Sequence, residues 1–235
     1  MQSNTFWIAS FDIGKKNFSF YIEEVNYDEL MSITVNNISK EKRYNENGSL
    51  TKEMNDVMTE VYKTGKTILY NNEDLTKNTK TSTYLDPQLF YNLTDHLDKY
   101  LTYFQKCSYF LLEKQMKKNV MALKLCQHCY TYLTLKLDRT NIKIIEFPAY
   151  YKTQILGAEK EYDKTYKNGN IKWRSMTQRE RKKWSIIKGK SILDIRGELD
   201  TMDFSKHKKK LDDIFDNKLM IEAFKYLHFV DLQEF

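Results

Sequence analysis

The chain has 235 residues, 41% hydrophobic and 14% aromatic, with only 7 glycines and 2 prolines, which supports one sizeable core and excludes a disordered or fibrous chain. Three cysteines make no disulfide framework, no stretch approaches the roughly 18 apolar residues of a membrane span, and the N-terminus lacks a basic n-region. A soluble protein of a reducing, intracellular compartment, with no membrane partner, is expected. The formal net charge is +6, but residues 152–210 hold 17 Lys and Arg against 8 Asp and Glu. A basic quarter on a nearly neutral body is the electrostatic footprint of a nucleic-acid binder, or of a lysine-rich solvated surface.

The run "FWIASFDI" (6–13) is β-rich and almost continuously apolar, as in a buried strand. Gly14 ends it, and "FSFYIEEV" (18–25) resumes as the second arm of a hairpin. A third strand is expected in "MSITVNNI" (31–38). From about 40 to 85 the chain turns polar, which suggests an insertion or mobile loop within a single domain spanning 1–235. After Pro87, leucines at 89, 93, 97 and 101 mark an amphipathic helix. "CSYFLLE" (107–113) reads as a central strand, 119–137 as a helix, and "IKIIEF" (142–147) as a strand stopped by Pro148. The basic segment follows, then a last helix after Lys210. Three strands and then alternating helices and strands match a ribonuclease H-like α/β fold, a mixed five-stranded sheet flanked by helices.

Four carboxylates stand out. Asp12 ends the first apolar strand and Glu113 ends another. Each faces burial, which is costly for an ionised group unless it is paired or binds metal. Strand-end carboxylates in α/β sheets point into the crevice where sites form. Asp213 and Asp216 lie three apart on the last helix and share one flank. Asp212 points about 100° away from Asp213 and is assigned to helix capping. Two strand-end carboxylates and an i,i+3 pair suit two Mg²⁺ ions, which take few protein ligands and support in-line attack of water on a phosphodiester.

The segments "FDIGKKN", "LLEKQ" and "KKLDDIFD", in this order and spacing, resemble the motifs of RuvC-like Holliday junction resolvases, and most closely the poxvirus type of large DNA viruses. "RERKKWS" (179–185) also looks like that subgroup's basic segment. The resemblance implies a homodimeric, Mg²⁺-dependent endonuclease that resolves four-way DNA junctions by paired cuts, with Mn²⁺ as a substitute ion. For a viral protein it also implies work at the site of viral DNA replication. Asp12, Glu113, Asp213 and Asp216 match the metal-binding carboxylates. Lys183, or its neighbour Lys182, matches the basic residue that assists the chemistry. Contacts to DNA are expected from Lys15, Lys16, Lys117, Lys118, Arg174, Arg179, Arg181, Lys182, Lys208 and Lys209. The dimer interface is expected on the helix 89–101 or the helix 119–137.

Other signals compete. "CQHC" (126–129) invites a zinc reading, but no second Cys/His pair lies at a usual spacing. Ala122, Cys126, Cys129 and Leu133 instead follow the buried stripe of a helix. Trp173 and Trp184, interleaved with Lys and Arg, suit base stacking beside phosphate contacts, or else a helix with its tryptophans in the core. "FDIGKKN" alone also fits an actin-like ATPase, which would need a second Asp-x-Gly loop that is missing. A ribonuclease H-like enzyme acting on RNA–DNA hybrid or other branched DNA, and a non-cleaving binder of branched nucleic acid, are the remaining alternatives.

Overall fold

A computed structural model describes residues 4–79, 86–205 and 210–234. Strands β1 (Thr5–Asp12) and β2 (Phe18–Asn26) form the expected hairpin, closed by the short "IGKKN" connection. The segment expected to be the third strand is not one. Residues 27–32 form the short helix α1 (Tyr27–Ser32), and the chain beyond it is irregular. Asn26 caps α1 through its side chain, and the helix runs on through Met31 and Ser32, the first two residues of the expected strand.

The third strand lies within the polar stretch read as an insertion or loop. Helix α2 (Lys52–Lys63), capped by Thr51, leads into β3 (Gly65–Glu73), which pairs antiparallel with β2 along its length. Its polar composition suits an edge strand, which is half-buried and exposes one row of backbone groups. The leucine-spaced segment forms α3 (Pro87–Lys99), broken at Tyr100 from a single turn, α4 (Leu101–Phe104). Then follow β4 (Cys107–Glu113), α5 (Val120–Lys136), β5 (Lys143–Phe147) and α6 (Tyr150–Ile155). Where one basic segment was expected, an exposed hairpin of β6 (Glu161–Thr165) and β7 (Ile171–Arg174) precedes α7 (Gln178–Ile195). Helix α8 (Leu211–Lys225) ends in a π-helical turn, Tyr226–Val230.

The main sheet has the order β3-β2-β1-β4-β5. β2 runs antiparallel to both β1 and β3, while β4 and β5 run parallel to β1. That order and those directions are the mixed five-stranded sheet of a ribonuclease H-like fold. Alternation along the strands divides the core. Ala9, Phe11, Phe20, Phe110 and Leu112 meet α3 and α5 on one face, where the leucines 89, 93 and 97 are buried. Ile8, Tyr21, Leu111 and Phe147 meet α2, α6 and α8 on the other. Cys126 and Cys129 lie in the first of these cores, as their spacing implied. Among the described residues no helix is long and apolar enough to cross a membrane.

The same alternation positions the candidate site. Asp12 follows Ile8 and Ser10 on the α8 face, and Glu113 follows Leu111 on that face. Phe11 pairs with Leu112, so Asp12 and Glu113 sit side by side at the C-terminal ends of adjacent parallel strands. Helix α8 is buried on nearly every side, because the sheet lies beneath it and α2, α6 and α7 lie around it.

Candidate active site

Three of the four carboxylates converge. The buried ammonium of Lys152, on α6, donates to Glu113 Oε1 at 3.0 Å and pairs with Asp216 Oδ2 at 3.3 Å. Asp12 completes the cluster from the end of the adjacent strand, beside Glu113 and within electrostatic reach of Lys152 and Asp216. Burial and the neighbouring Glu113 charge push the Asp12 carboxyl well above the usual carboxylate range, and Lys152 only partly opposes them. Burial alone would lower the pKa of Lys152, but Asp216, Glu113 and Asp12 together raise it, so it stays charged. On the far side of Asp216, the buried Ser185 hydroxyl of α7 donates to Oδ1 at 2.5 Å. Asp216 is therefore fixed from two elements.

Asp213 stands apart from that contact set. Its Oδ2 accepts from Asn72 of β3 at 3.4 Å, and its backbone carbonyl accepts from Ser19 and Asn217. Burial, reinforced by the neighbouring Asp212 charge, pushes its carboxyl up to about 6. Asp212 does not cap the helix. Position Lys210 is the cap, without a side-chain capping bond, and Asp212 instead pairs with Lys182. Asp212 reaches across to α7 instead of turning back on its own helix.

Glu113, Lys152 and Asp216 line a cleft of about 670 Å³, together with Lys114, Gln115, Met116, Lys117, Pro148, Tyr150, Gln178, Arg181, Lys182 and Ser185. Of the residues expected to contact DNA, Lys117, Arg181 and Lys182 are on this cleft. Lys183, expected to assist the chemistry, is exposed and does not line it. One position further along α7 turns a side chain by about 100°, which points Lys183 away while Lys182 and Ser185 face in. Lys15, Lys16, Lys118 and Arg179 are exposed. Arg174 is committed elsewhere: it pairs with Glu180 at 2.9 Å and with Glu161, clamping the β6–β7 hairpin to the start of α7. Trp184 packs against the core, and Trp173 lies opposite Tyr162 in the hairpin. Lys208 and Lys209 lie outside the described residues.

Lys152 and Ser185 escaped the sequence reading, although each carries a signal. Ile155 and Leu156, three and four positions after Lys152, are buried, so the lysine sits on the apolar stripe of its short helix. Ser185 shares such a stripe with Gly189 and Ile192. A lone polar residue on a buried stripe needs a partner, and here both partners are site carboxylates.

Among the described residues, no three carboxylate, imidazole or thiolate side chains are disposed as a shell around one ion. The reason is visible in the contacts: the cation among these oxygens is the lysine. The donor set still fits a hard divalent ion in kind. It is all oxygen, and it holds three carboxylates against one ammonium.

No protein-family model matches the chain. The solved RuvC structure of Thermus thermophilus aligns with a TM-score of 0.48 and 10% identity, covering 94% of this chain and 96% of that one, a likeness too distant to speak to chemistry. "Uncharacterized protein 97L" of Invertebrate iridescent virus 3 is 27% identical over 231 residues, covering 93% of this chain and 98% of its own length. "Uncharacterized protein 170L" of Invertebrate iridescent virus 6 is 30% identical over 241 residues, covering 94% of this chain and 89% of the viral protein. At that identity over nearly its whole length, the chain belongs to the same family as the iridescent-virus protein 170L.

Proposed function

We propose that the chain is a metal-dependent endonuclease of branched DNA, resolving four-way junctions by paired phosphodiester hydrolysis. The observation that carries this reading is the meeting of Glu113 and Asp216, with Asp12 behind Glu113, in a cleft rimmed by Lys114, Lys117, Arg181 and Lys182. A pure nucleic-acid binder gains nothing from carboxylates placed where phosphates would lie. Asp12, Glu113 and Asp216, together with Asp213, are the residues that would hold Mg²⁺, which would supply charge stabilisation and an activated water.

The chain's own residues divide the remaining work. Ser185 fixes the Asp216 carboxylate, so one oxygen is already committed before substrate arrives. Lys117, Arg181 and Lys182 offer cations to the backbone of the scissile strand. Lys152 and Lys182, both on the cleft, replace Lys183 as the lysines best placed to meet charge building on a phosphate there. Paired cutting calls for a second copy of the chain. The leucine stripe of α3 is consumed by the core, whereas α5 exposes Val120, Leu123, Tyr130 and Leu135, so α5 is the better candidate interface.

The test is cleavage of a synthetic four-way junction beside matched duplex, flap and RNA–DNA hybrid, each with and without Mg²⁺. Junction-selective, Mg²⁺-dependent paired nicks are expected. Equal activity on hybrid would make the chain a ribonuclease instead. Binding of junction without any cutting would make it a binding protein.

A further inference from the structure

We infer that Lys152 is the built-in counter-cation of this cleft, and that binding of a divalent ion displaces its ammonium from Glu113 and Asp216 into the open cleft. The inference rests on reading the cleft as a divalent-ion site, and it is tested by ion binding and not by DNA cleavage.

The contacts lead there directly. Lys152 is 6% exposed, and its Nζ sits 3.0 Å from Glu113 Oε1 and 3.3 Å from Asp216 Oδ2. A divalent ion in the cleft would draw on the same two carboxylates. An ammonium and a dication cannot share them, because like charges within a few ångströms in a poorly solvated floor repel strongly. Among the described residues no second cation pairs with Glu113 or Asp216, so Lys152 alone holds that place. Lys182, the nearest alternative on the cleft wall, is paired with Asp212.

Displacement is also mechanically simple. Ile155 and Leu156 anchor α6 in the core, so the helix need not move. The four-carbon lysine stem can swing its head from floor to cleft while its base stays packed. The space exists, because Lys152 itself lines the cleft beside Tyr150, Gln178 and Arg181. The displaced ammonium would lie among the cleft's other cations, where a phosphate is expected. Ion loading and presentation of Lys152 to the substrate would then be one event.

Two measurements on ion binding decide this. In titration calorimetry with Mg²⁺, backed by Mn²⁺ electron paramagnetic resonance, Lys152→Met should bind at least about tenfold tighter than wild type, since a competing charge is gone. Equal or weaker binding by the variant overturns the inference, as does the absence of ion binding in both proteins. The second measurement needs no variant. Wild-type chain is treated with an amine-acylating reagent with and without Mg²⁺, and labelling at Lys152 is read by mass spectrometry. Labelling should rise several-fold with the ion, and unchanged labelling at saturating Mg²⁺ overturns displacement. A wild-type chain that binds Mg²⁺ and exposes Lys152 but cuts no DNA defeats the nuclease proposal alone. A chain that cuts junctions while Lys152→Met binds Mg²⁺ no better defeats this inference alone.

Discussion

The N-terminal half of α8 faces a cleft in which Glu113 and Asp216 share one ammonium, with Asp12 beside them. Its C-terminal half faces a sealed interior in which Glu23 and Glu222 meet Arg196, Lys218 and Lys225, all five without measurable side-chain exposure beyond 2%. The residue types are the same, and the two clusters are built from the same helix. Their charge balance is opposite. In the sealed cluster burial alone would raise the Glu23 carboxyl, yet Arg196, Lys225 and Lys218 hold it well below the usual carboxylate range. In the cleft, burial and the Glu113 charge together outweigh Lys152, and Asp12 is pushed up. A closed, compensated network stabilises a fold, whereas an open, under-compensated one awaits a cation.

The largest effect should come from removing a carboxylate on the open side. Glu113→Gln and Asp216→Asn should each lower Mg²⁺-dependent junction cutting on the order of a thousandfold while binding persists, since pre-aligned charge at the reacting phosphate is lost. Asp12→Asn should do the same and also preserve or raise the melting temperature, because a neutral side chain carries neither the cost of burying a charge nor repulsion from Glu113. Single-turnover cleavage and thermal melting check both halves. Near wild-type cutting by any of the three would remove that residue from the site.

On the sealed side the same kind of change should strike stability instead. Glu23→Gln leaves Arg196, Lys218 and Lys225 under-compensated without access to water, and should cost about 3 kcal/mol in urea unfolding. The folded fraction should cut junctions normally. Gly65 belongs to this cluster too: a Cβ there would lie 1.8 Å from Glu23 Oε1 and 2.4 Å from Arg196 Nη2. Gly65→Ala should therefore destabilise in parallel. A Glu23→Gln chain as stable as wild type would mean that the compensation described here carries little weight.

This contrast also marks how far the sequence could be read. Asp12 and Glu113 were legible, because a carboxylate that ends an apolar strand is a local pattern and strand alternation decides its face. Asp216 was legible from its i,i+3 partner and the motif order. Lys152 was not, since its role depends on α6 folding back over the sheet after Pro148, and sequence spacing carries no such distance. The third strand was missed for a related reason. Edge strand β3 is polar, and what holds it is pairing with β2, not an apolar pattern of its own. The buried ion network was invisible, because Glu23 lies 173 residues from Arg196 and each looks like an ordinary surface charge in isolation.

A smaller effect separates the two adjacent lysines at the rim of the open cluster. Lys182 lines the cleft and Lys183 does not. Lys182→Ala should lower the log–log salt slope of junction binding by about one unit and slow cutting of bound DNA. Lys183→Ala should leave the cutting rate of bound junction unchanged. If Lys183→Ala slows cutting and Lys182→Ala does not, the orientation of α7 over the cleft is wrong in solution.

The smallest expected effect sharpens the comparison from the sealed side, through pH. Burial, helped by the Arg196 charge, lowers Lys218 to about 8, although Glu23 and Glu222 lie beside it. An unfolded lysine keeps its proton to about pH 10.4, so between roughly 8 and 10 the unfolded chain binds more protons than the folded one. Over that window this group makes the folded state gain stability as pH rises, and at pH 7 its charged form opposes folding. Lys218→Met removes the charge and leaves Arg196 and Lys225 to balance Glu23 and Glu222. The variant should thus be close to wild type or more stable at pH 7. Its advantage should shrink by about 2 kcal/mol by pH 9.5, where folded wild type has shed the same charge. Comparing the two proteins at each pH subtracts the titration of the many tyrosines. A difference in stability that does not change between pH 7 and 9.5 would mean that Lys218 titrates as an ordinary lysine. The surplus positive charge of the sealed cluster would then persist at pH 9.5 and not be shed between 7 and 9.5.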